Sequence, residues 1–99
     1  MKGANFAGSY AVVETTCGTG CSYVVIVDVR TGRIFENLPF RMVVAGPPGQ
    51  YRGVSFHLNS RLLVVEGFVD GLREPTRAYY EWSGAKLQLI RDVQISERR

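Results

Sequence analysis

The feature that most constrains this chain is a rapid alternation between short β-branched or aromatic runs and turns of Gly, Pro, Asn and Ser. The clearest run is CSYVVIVDV, Cys21 to Val29, and the turn behind it places Gly32 where a positive φ is needed. Helix signals are nearly absent. The sequence therefore predicts a single all-β domain over 1–99, an antiparallel meander of seven or eight short strands.

The predicted strands follow one another along the whole chain. They are separated by Gly-Pro-Pro-Gly at 46–49 and by a polar loop at 70–75. The tail from Arg91 onward is either an extension of the last strand or a short helix. The predicted runs are 10–16, 21–29, 34–35, 41–45, 51–58, 61–69, 76–83 and 86–90.

An internal echo suggests a repeat over 10–36 and 62–90. Moving the chain by 52 residues lays Val-Val-Glu at 12–14 on Val-Val-Glu at 64–66, and Thr-Gly at 31–32 on Ser-Gly at 83–84. A period of this size with antiparallel strands is typical of propeller blades, but two blade-like units are too few to close a propeller. They are expected to pack as a sandwich or an open barrel, or to pair with another copy of the chain.

Composition and charge exclude several classes of protein. A hydrophobic fraction of 45% and an aromatic fraction of 11% argue against disorder. The net charge is +3, and the Arg residues are spread singly rather than along one stripe, which argues against a nucleic-acid partner. No apolar run reaches the ~20 residues of a membrane helix, and no export leader is visible. The expected location is cytoplasmic as the sequence stands, or exported if a leader has been removed.

The only two cysteines, Cys17 and Cys21, flank Gly-Thr-Gly. Read as a three-residue hairpin loop, this turn sets Cys17 opposite Cys21, and the register continues with Ala11 facing Val27 and Val13 facing Val25. Side-chain alternation then puts both sulfurs on the face that carries 11, 13, 25 and 27. That face is expected to be the apolar one, with the cysteines at the rim of the core.

Two interpretations of the cysteines remain open, a cross-strand disulfide and a pair of reduced core residues. A structural zinc site needs about four ligands, and the chain has a single His and no other Cys, so no metal and no cofactor is expected. A thiol redox pair is a further hypothesis, although such pairs usually have two intervening residues at a helix start.

Three other residues could support chemistry. His57, Glu14 and Glu66 are candidates for a cleft in a small-ligand binder or a hydrolase-like enzyme, with the two carboxylates doing acid–base work. The competing interpretation places all three on solvent-facing or edge positions. The spacing of Glu14 and Glu66 in the echo assigns them equivalent positions, and an exposed location is favoured for both.

Aromatic residues mark a possible interaction surface. Alternation sends one set of rings near 76–83 into the core and leaves another set exposed, beside arginine. The predicted binding surface comprises Tyr79, Tyr80, Trp82, Arg77 and Tyr51.

The phrases NFAGSY, CGTGC, TGR, NSRLLVV and YYEWSG together resemble a family of small, uncharacterised bacterial proteins with no assigned function. Members are similar in nearly the whole chain but often carry an export leader and a Trp-Gly before the first cysteine, where this chain has Thr15-Thr16. A small chain without a leader also resembles proteins encoded by mobile gene cassettes. The resemblance implies no activity.

The leading functional hypothesis is a non-enzymatic β module that self-associates, with a dimer expected first. A protein or a small molecule is the other partner considered.

Overall fold

The computed structural model describes residues 3–18, 20–46, 50–70 and 74–95. Parts of three predicted features lie outside these residues: the Gly-Pro-Pro-Gly breaker, the loop at 70–75 and the end of the C-terminal tail. Thr19, in the middle of the cysteine turn, also lies outside them.

The prediction of an all-β fold is confirmed, since the described residues form eight strands and no helix. As far as Gln94, the tail continues the last strand, as one of the two alternatives for it predicted. The strands are β1 (Tyr10–Gly18), β2 (Cys21–Asp28), β3 (Ile34–Phe35), β4 (Met42–Val44), β5 (Gly53–Phe56), β6 (Leu62–Val69), β7 (Thr76–Trp82) and β8 (Leu87–Gln94).

All strands belong to one antiparallel sheet with the order β1-β2-β4-β6-β7-β8, and β3 and β5 pair with β2 and β6. The sheet does not close into a barrel. β1 and β8 are the ends of this strand order, and β3 and β5 each pair with one strand only. The first half, β1 to β4, and the second half, β5 to β8, contribute side chains to one hydrophobic core. The sheet is therefore bent so that its halves face each other.

The bend is built around β4, which joins the halves although it has only three residues. It pairs with the start of β2, where Val44 lies opposite Cys21, and with the end of β6, where Val44 lies opposite Phe68. The remaining lengths of β2 and β6 pair with β3 and β5 instead. The two long strands thus separate beyond β4, and the sheet can fold there.

Glycine permits a very close backbone approach at this bend. A Cβ on Gly67, whose φ is +142°, would lie 2.6 Å from the carbonyl oxygen of Val44. Gly20, with φ +71°, faces the carbonyl of Gly46 across a gap that no Cβ fits. Because a side chain at either position would collide with backbone rather than with a movable side chain, the bend depends on these glycines.

Asp70 fixes the other end of β4. Its carboxylate Oδ1 accepts hydrogen bonds from the backbone N–H groups of Arg41 and Met42, both at 2.9 Å. The backbone N–H of Asp70 in turn donates to the carbonyl of Met42 at 2.9 Å. A strand of three residues is thereby held at both ends.

Trp82 is the centre of the core and is fully buried. Its ring lies 5.2 Å from the ring of Tyr10 in β1 and 5.1 Å from that of Phe35 in β3, both edge to face. A third ring, that of Phe6, lies 6.5 Å away. These contacts join the end of β7 to the first half of the sheet. Edge-to-face pairs add about 0.5–1.5 kcal/mol each to the burial of the rings.

The first hairpin has the predicted register but the opposite orientation. Ala11 lies opposite Val27 and Val13 opposite Val25, as predicted. The hydrophobic core, however, contains the alternate set, Tyr10, Val12, Val24 and Ile26, while Val13 is exposed. The predicted face was therefore wrong as the side of the main core cluster, although Ala11 and Val27 on that face are also buried. Both faces of this hairpin are apolar, and only packing against the second half distinguishes them. The register also shifts at the turn, where Gly18 rather than Cys17 lies opposite Cys21.

The Asn-Phe-Ala-Gly segment at 5–8, one of the motifs that carry the resemblance, has a structural explanation. The side chain of Asn5 behaves like a short strand beside β1: its Oδ1 accepts the N–H of Val12 at 2.8 Å. Phe6 is fully buried in the core. Ala7 adopts φ +52°, and the turn that follows places the N–H of Gly8 2.7 Å from the carbonyl oxygen of Leu58. The N-terminal segment thus connects β1 with the β5–β6 turn.

The sequence echo aligns the strands but not their faces. Moving by 52 residues places β1 on β6, yet Val12 belongs to the core and its counterpart Val64 does not. The reverse holds for Val13, which is exposed, and Val65, which is fully buried. Equivalent letters of the echo therefore lie in different environments.

The contribution of the close approach at β4 can be isolated with two matched substitutions. Gly67→Ala and Gly18→Ala introduce a methyl group at nearly the same φ, +142° and +140°, but only Gly67 has backbone within 4 Å of the added Cβ. We expect Gly67→Ala to lower the free energy of unfolding by about 1–3 kcal/mol more than Gly18→Ala does. Urea denaturation of both variants measures the difference, and equal losses would contradict the role assigned to Gly67.

Candidate functional site

The most unusual polar group of the molecule is the carboxylate of Glu66, in the middle of β6. Its side chain is only 2% exposed, although it lies on the face of the sheet opposite the core residues Leu63 and Val65. The expectation that Glu66 is exposed was therefore wrong. Oε2 accepts hydrogen bonds from Arg77, at 2.9 Å from Nε and 2.6 Å from Nη2, and Oε1 accepts the backbone N–H of Arg52 at 3.0 Å.

Strand register brings these residues together. Across β5, β6 and β7, one row contains Gly53, Glu66 and Arg77, and the next row contains Ser55, Val64 and Tyr79. Gly53 has no side chain, so nothing from β5 stands directly beside the Glu66 carboxylate. Arg77 reaches it from the opposite side, and the hydrogen bond to Glu66 raises the pKa of the Arg77 guanidinium.

These two rows surround a cavity of about 330 Å³ on the outer face of the second half of the sheet. We call it the arginine cavity. It is open to solvent through Arg52, which is exposed, and through the Arg77 side chain, which is 36% exposed. It is lined by Arg52, Ser55, Val64, Glu66, Arg77 and Tyr79.

A second cavity of about 190 Å³ shares Arg52 with the first. Its wall includes Glu14 and Ser22 of the first half and Ala45 beside β4. It therefore lies where the bend brings the two halves of the sheet together.

The predicted group of His57, Glu14 and Glu66 is not assembled into one site. Glu66 lines the arginine cavity, and Glu14 lines the second cavity. His57 is exposed and lines neither of them. Of the three residues, only Glu66 has the burial and the charged partner that distinguish functional carboxylates from surface ones.

The predicted aromatic surface is mostly interior. Trp82, Tyr80 and Tyr51 are 0%, 8% and 6% exposed, so they do not offer the binding surface that the sequence suggested. Their positions follow from alternation along β7, which sends 78, 80 and 82 inward, and from the contact of Tyr51 with Phe68. Tyr79 and Arg77 alone of the five predicted residues line the arginine cavity.

Cys17 and Cys21 form a disulfide, with their Cα atoms 5.1 Å apart. It bridges the tip of the first hairpin, and both residues are partly exposed. Neither cysteine belongs to the core cluster. The bridge fastens the end of β2 that pairs with β4, so a structural role follows directly, whereas a thiol redox activity remains a prediction.

Another charged cluster lies at the opposite end of β2. Arg30 Nε and Nη2 donate to the two carboxylate oxygens of Asp28, each at 3.2 Å, and the Arg30 backbone N–H adds a bond of 2.9 Å. The hydroxyl of Tyr10 lies 3.4 Å from the carbonyl oxygen of Gly84 in the β7–β8 turn. The hydrogen bonds from Arg30 hold the pKa of Asp28 below its ordinary value of 3.8. This cluster orders a turn and has no cavity beside it among those described above.

Within the described ranges, no group of three or more His, Cys, Asp or Glu side chains is placed to hold a metal ion. The same residues include no helix of the length and apolarity needed to span a membrane.

Comparison with known proteins gives no relative: no family model, curated protein or solved structure matches this chain. The resemblance to small bacterial proteins therefore stays a prediction.

The buried carboxylate gives a stability prediction with a matched control from the sequence echo. Glu66→Gln removes the charge that Arg77 faces, and we expect the free energy of unfolding to fall by roughly 1–3 kcal/mol. Glu14→Gln changes the exposed glutamate of the other Val-Val-Glu segment and is expected to stay within about 0.5 kcal/mol of the parent. Chemical denaturation at neutral pH compares the two variants. A Glu66→Gln variant as stable as the parent would rule out a stabilising pair between Glu66 and Arg77.

Asp28 gives a pH dependence whose sign is fixed by its lowered pKa. Its carboxylate stabilises the fold fully above the unfolded value of 3.8, and this stabilisation is lost as the pH falls through the lower folded pKa. The parent protein should therefore melt at a higher temperature than Asp28→Asn at pH 6. The difference should shrink as the pH falls below 3.8. Thermal melts of both proteins over that range measure it, and a difference that grows on acidification would contradict the assignment.

Proposed function

We propose that this protein is a non-enzymatic interaction module that pairs with a second copy of itself through the outer edge of β8. The observation that carries the proposal is the length and exposure of this edge. β8 has eight residues, and in the described chain it pairs only with β7. Its outer backbone N–H and C=O groups are therefore available to another strand.

The side chains of β8 add apolar surface to that edge. Leu89 and Ile90 are 50% and 58% exposed, whereas Leu87 on the same strand is buried in the core. Ile90 sits where the β7–β8 register shifts between Tyr79 and Tyr80, and it has no partner residue in β7. Burial of two such side chains would contribute about 1.5–3 kcal/mol each when complete.

The charges on β8 favour a copy of the same strand as its partner. Arg91 and Asp92 are adjacent and exposed, so the strand has no net charge and two copies do not repel each other. The strand also contains neither Pro nor Lys, the residues with which natural edges are often protected.

The first part of β1, at the other end of the strand order, is covered. On β1 the side chain of Asn5 occupies the N–H of Val12, and Phe6 forms an isolated bridge with Tyr10. This contrast between the two edges supports β8 rather than β1 as the pairing surface.

A charge placed on the edge tests the proposal. Ile90→Lys should convert the dimer, with about twice the chain mass of 11.0 kDa, into a monomer. The physical reason is that each copy would place a charged lysine on the pairing edge, as natural edge strands do to prevent pairing. Leu58→Lys is the control, because Leu58 is 52% exposed but lies outside β8. Sedimentation velocity over a range of concentrations gives the masses.

Two results would overturn the proposal. One is a parent protein that stays monomeric at high concentration. The other is a dimer that Leu58→Lys disrupts and Ile90→Lys does not.

A further inference from the structure

The arginine cavity is lined by the hydrogen-bond donors of two arginine side chains. We propose that it binds a small organic molecule through a single carboxylate. Such binding would be separate from pairing through β8, since it involves the face of β5, β6 and β7 and not the sheet edge.

Arg77 lines this cavity with a guanidinium that is only partly engaged. Nε and Nη2 each donate to Glu66, and Tyr79 is a further hydrogen-bond partner. Because a guanidinium has five N–H donors, these partners do not use all of them. Because Glu66 holds the guanidinium plane at 2.6–2.9 Å, Arg77 is fixed before a ligand arrives. A fixed planar donor loses little entropy on binding a carboxylate.

Arg52 supplies the second cation. The backbone N–H of Arg52 donates to Glu66, and this bond sets where the chain enters β5. The side chain of Arg52 is exposed. That side chain has no hydrogen bond or ion pair with any part of the chain that the structure describes. One carboxylate, Glu66, therefore positions both arginines of the cavity.

The charge balance of the lining selects the class of anion. Among the described lining residues, Arg52 and Arg77 carry two positive charges and Glu66 one negative charge, an excess of one positive charge. A monoanion neutralises it. A phosphate dianion would exceed that charge and bring a second negative charge close to the buried carboxylate of Glu66.

The remaining lining favours an organic acid over a bare inorganic ion. Val64 and the ring of Tyr79 lie directly opposite each other and provide an apolar wall. Ser55 adds a hydroxyl on the other side of Val64. A cavity of about 330 Å³ has room for a ring or a short chain attached to the carboxylate.

Benzoate is a suitable probe, with benzamide as its neutral counterpart and phosphate as the competing anion. We expect benzoate to bind the parent protein with a Kd on the order of a millimolar. Benzamide and phosphate should bind at least about tenfold more weakly. Titration followed by amide NMR shifts should place the changes on β5, β6 and β7.

Arg52→Gln is the decisive variant, because the exposed side chain has no described partner and the backbone bond to Glu66 is retained. Affinity for benzoate should fall about tenfold or more. Arg52→Lys keeps the charge but not the planar guanidinium, so its affinity for benzoate should lie between those of the parent and of Arg52→Gln. Arg41→Gln removes an exposed arginine that lines neither cavity and should change the affinity by less than about twofold.

Several results would overturn the inference. These are the absence of benzoate binding at tens of millimolar, equal binding of benzamide or phosphate, and an unchanged affinity in a folded Arg52→Gln. If circular dichroism shows that Arg52→Gln is unfolded, Arg52→Lys decides in its place. An affinity of Arg52→Lys for benzoate equal to that of the parent would then refute the role of the Arg52 guanidinium. Binding by a monomeric parent protein would support the cavity even if pairing through β8 failed.

Discussion

The structure depends on the close backbone contact where β4 joins the two halves of the sheet. At Gly67 the chain passes so near the carbonyl of Val44 that a Cβ would lie 2.6 Å from the oxygen. This contact lets a three-residue strand connect β2 and β6 while their remaining lengths separate. Without the bend, the apolar faces of both halves would stay in water, and Trp82 of β7 would not reach Tyr10 and Phe35.

The same bend determines where polar groups can lie. Once one face of β5, β6 and β7 packs into the core, the other face must hold Glu66, Arg77 and their neighbours. Burying a carboxylate is costly unless it is paired and hydrogen-bonded. Glu66 meets that condition through the Arg77 guanidinium and the N–H of Arg52, and this arrangement in turn shapes the arginine cavity. The arginine cavity and the core thus both follow from the packing of one face of β5, β6 and β7 against the first half of the sheet.

The two ends of the strand order, β1 and β8, differ in what lies beside them. The N-terminal segment turns back so that Asn5 bonds to β1 and Phe6 enters the core. In the described chain, no comparable segment lies along β8. On the β1 side, the Asn5 amide bonds to Val12 as a neighbouring strand would. This difference between β1 and β8 gives the proposed self-association a defined location.

The sequence by itself determined the strands and the register of the first hairpin, because β-branched runs, Gly turns and loop length act locally. Alternation also predicted that one set of rings on β7 enters the core, but Tyr80 and Trp82, which form that set, were assigned to the binding surface. The sequence could not decide which face of the first hairpin is inside, since Val12 and Val13 are equally apolar. Nor could it distinguish Glu14 from Glu66, which share the letters Val-Val-Glu. Only the packing of one half of the sheet on the other put Glu66 out of water beside Arg77 and left Glu14 exposed.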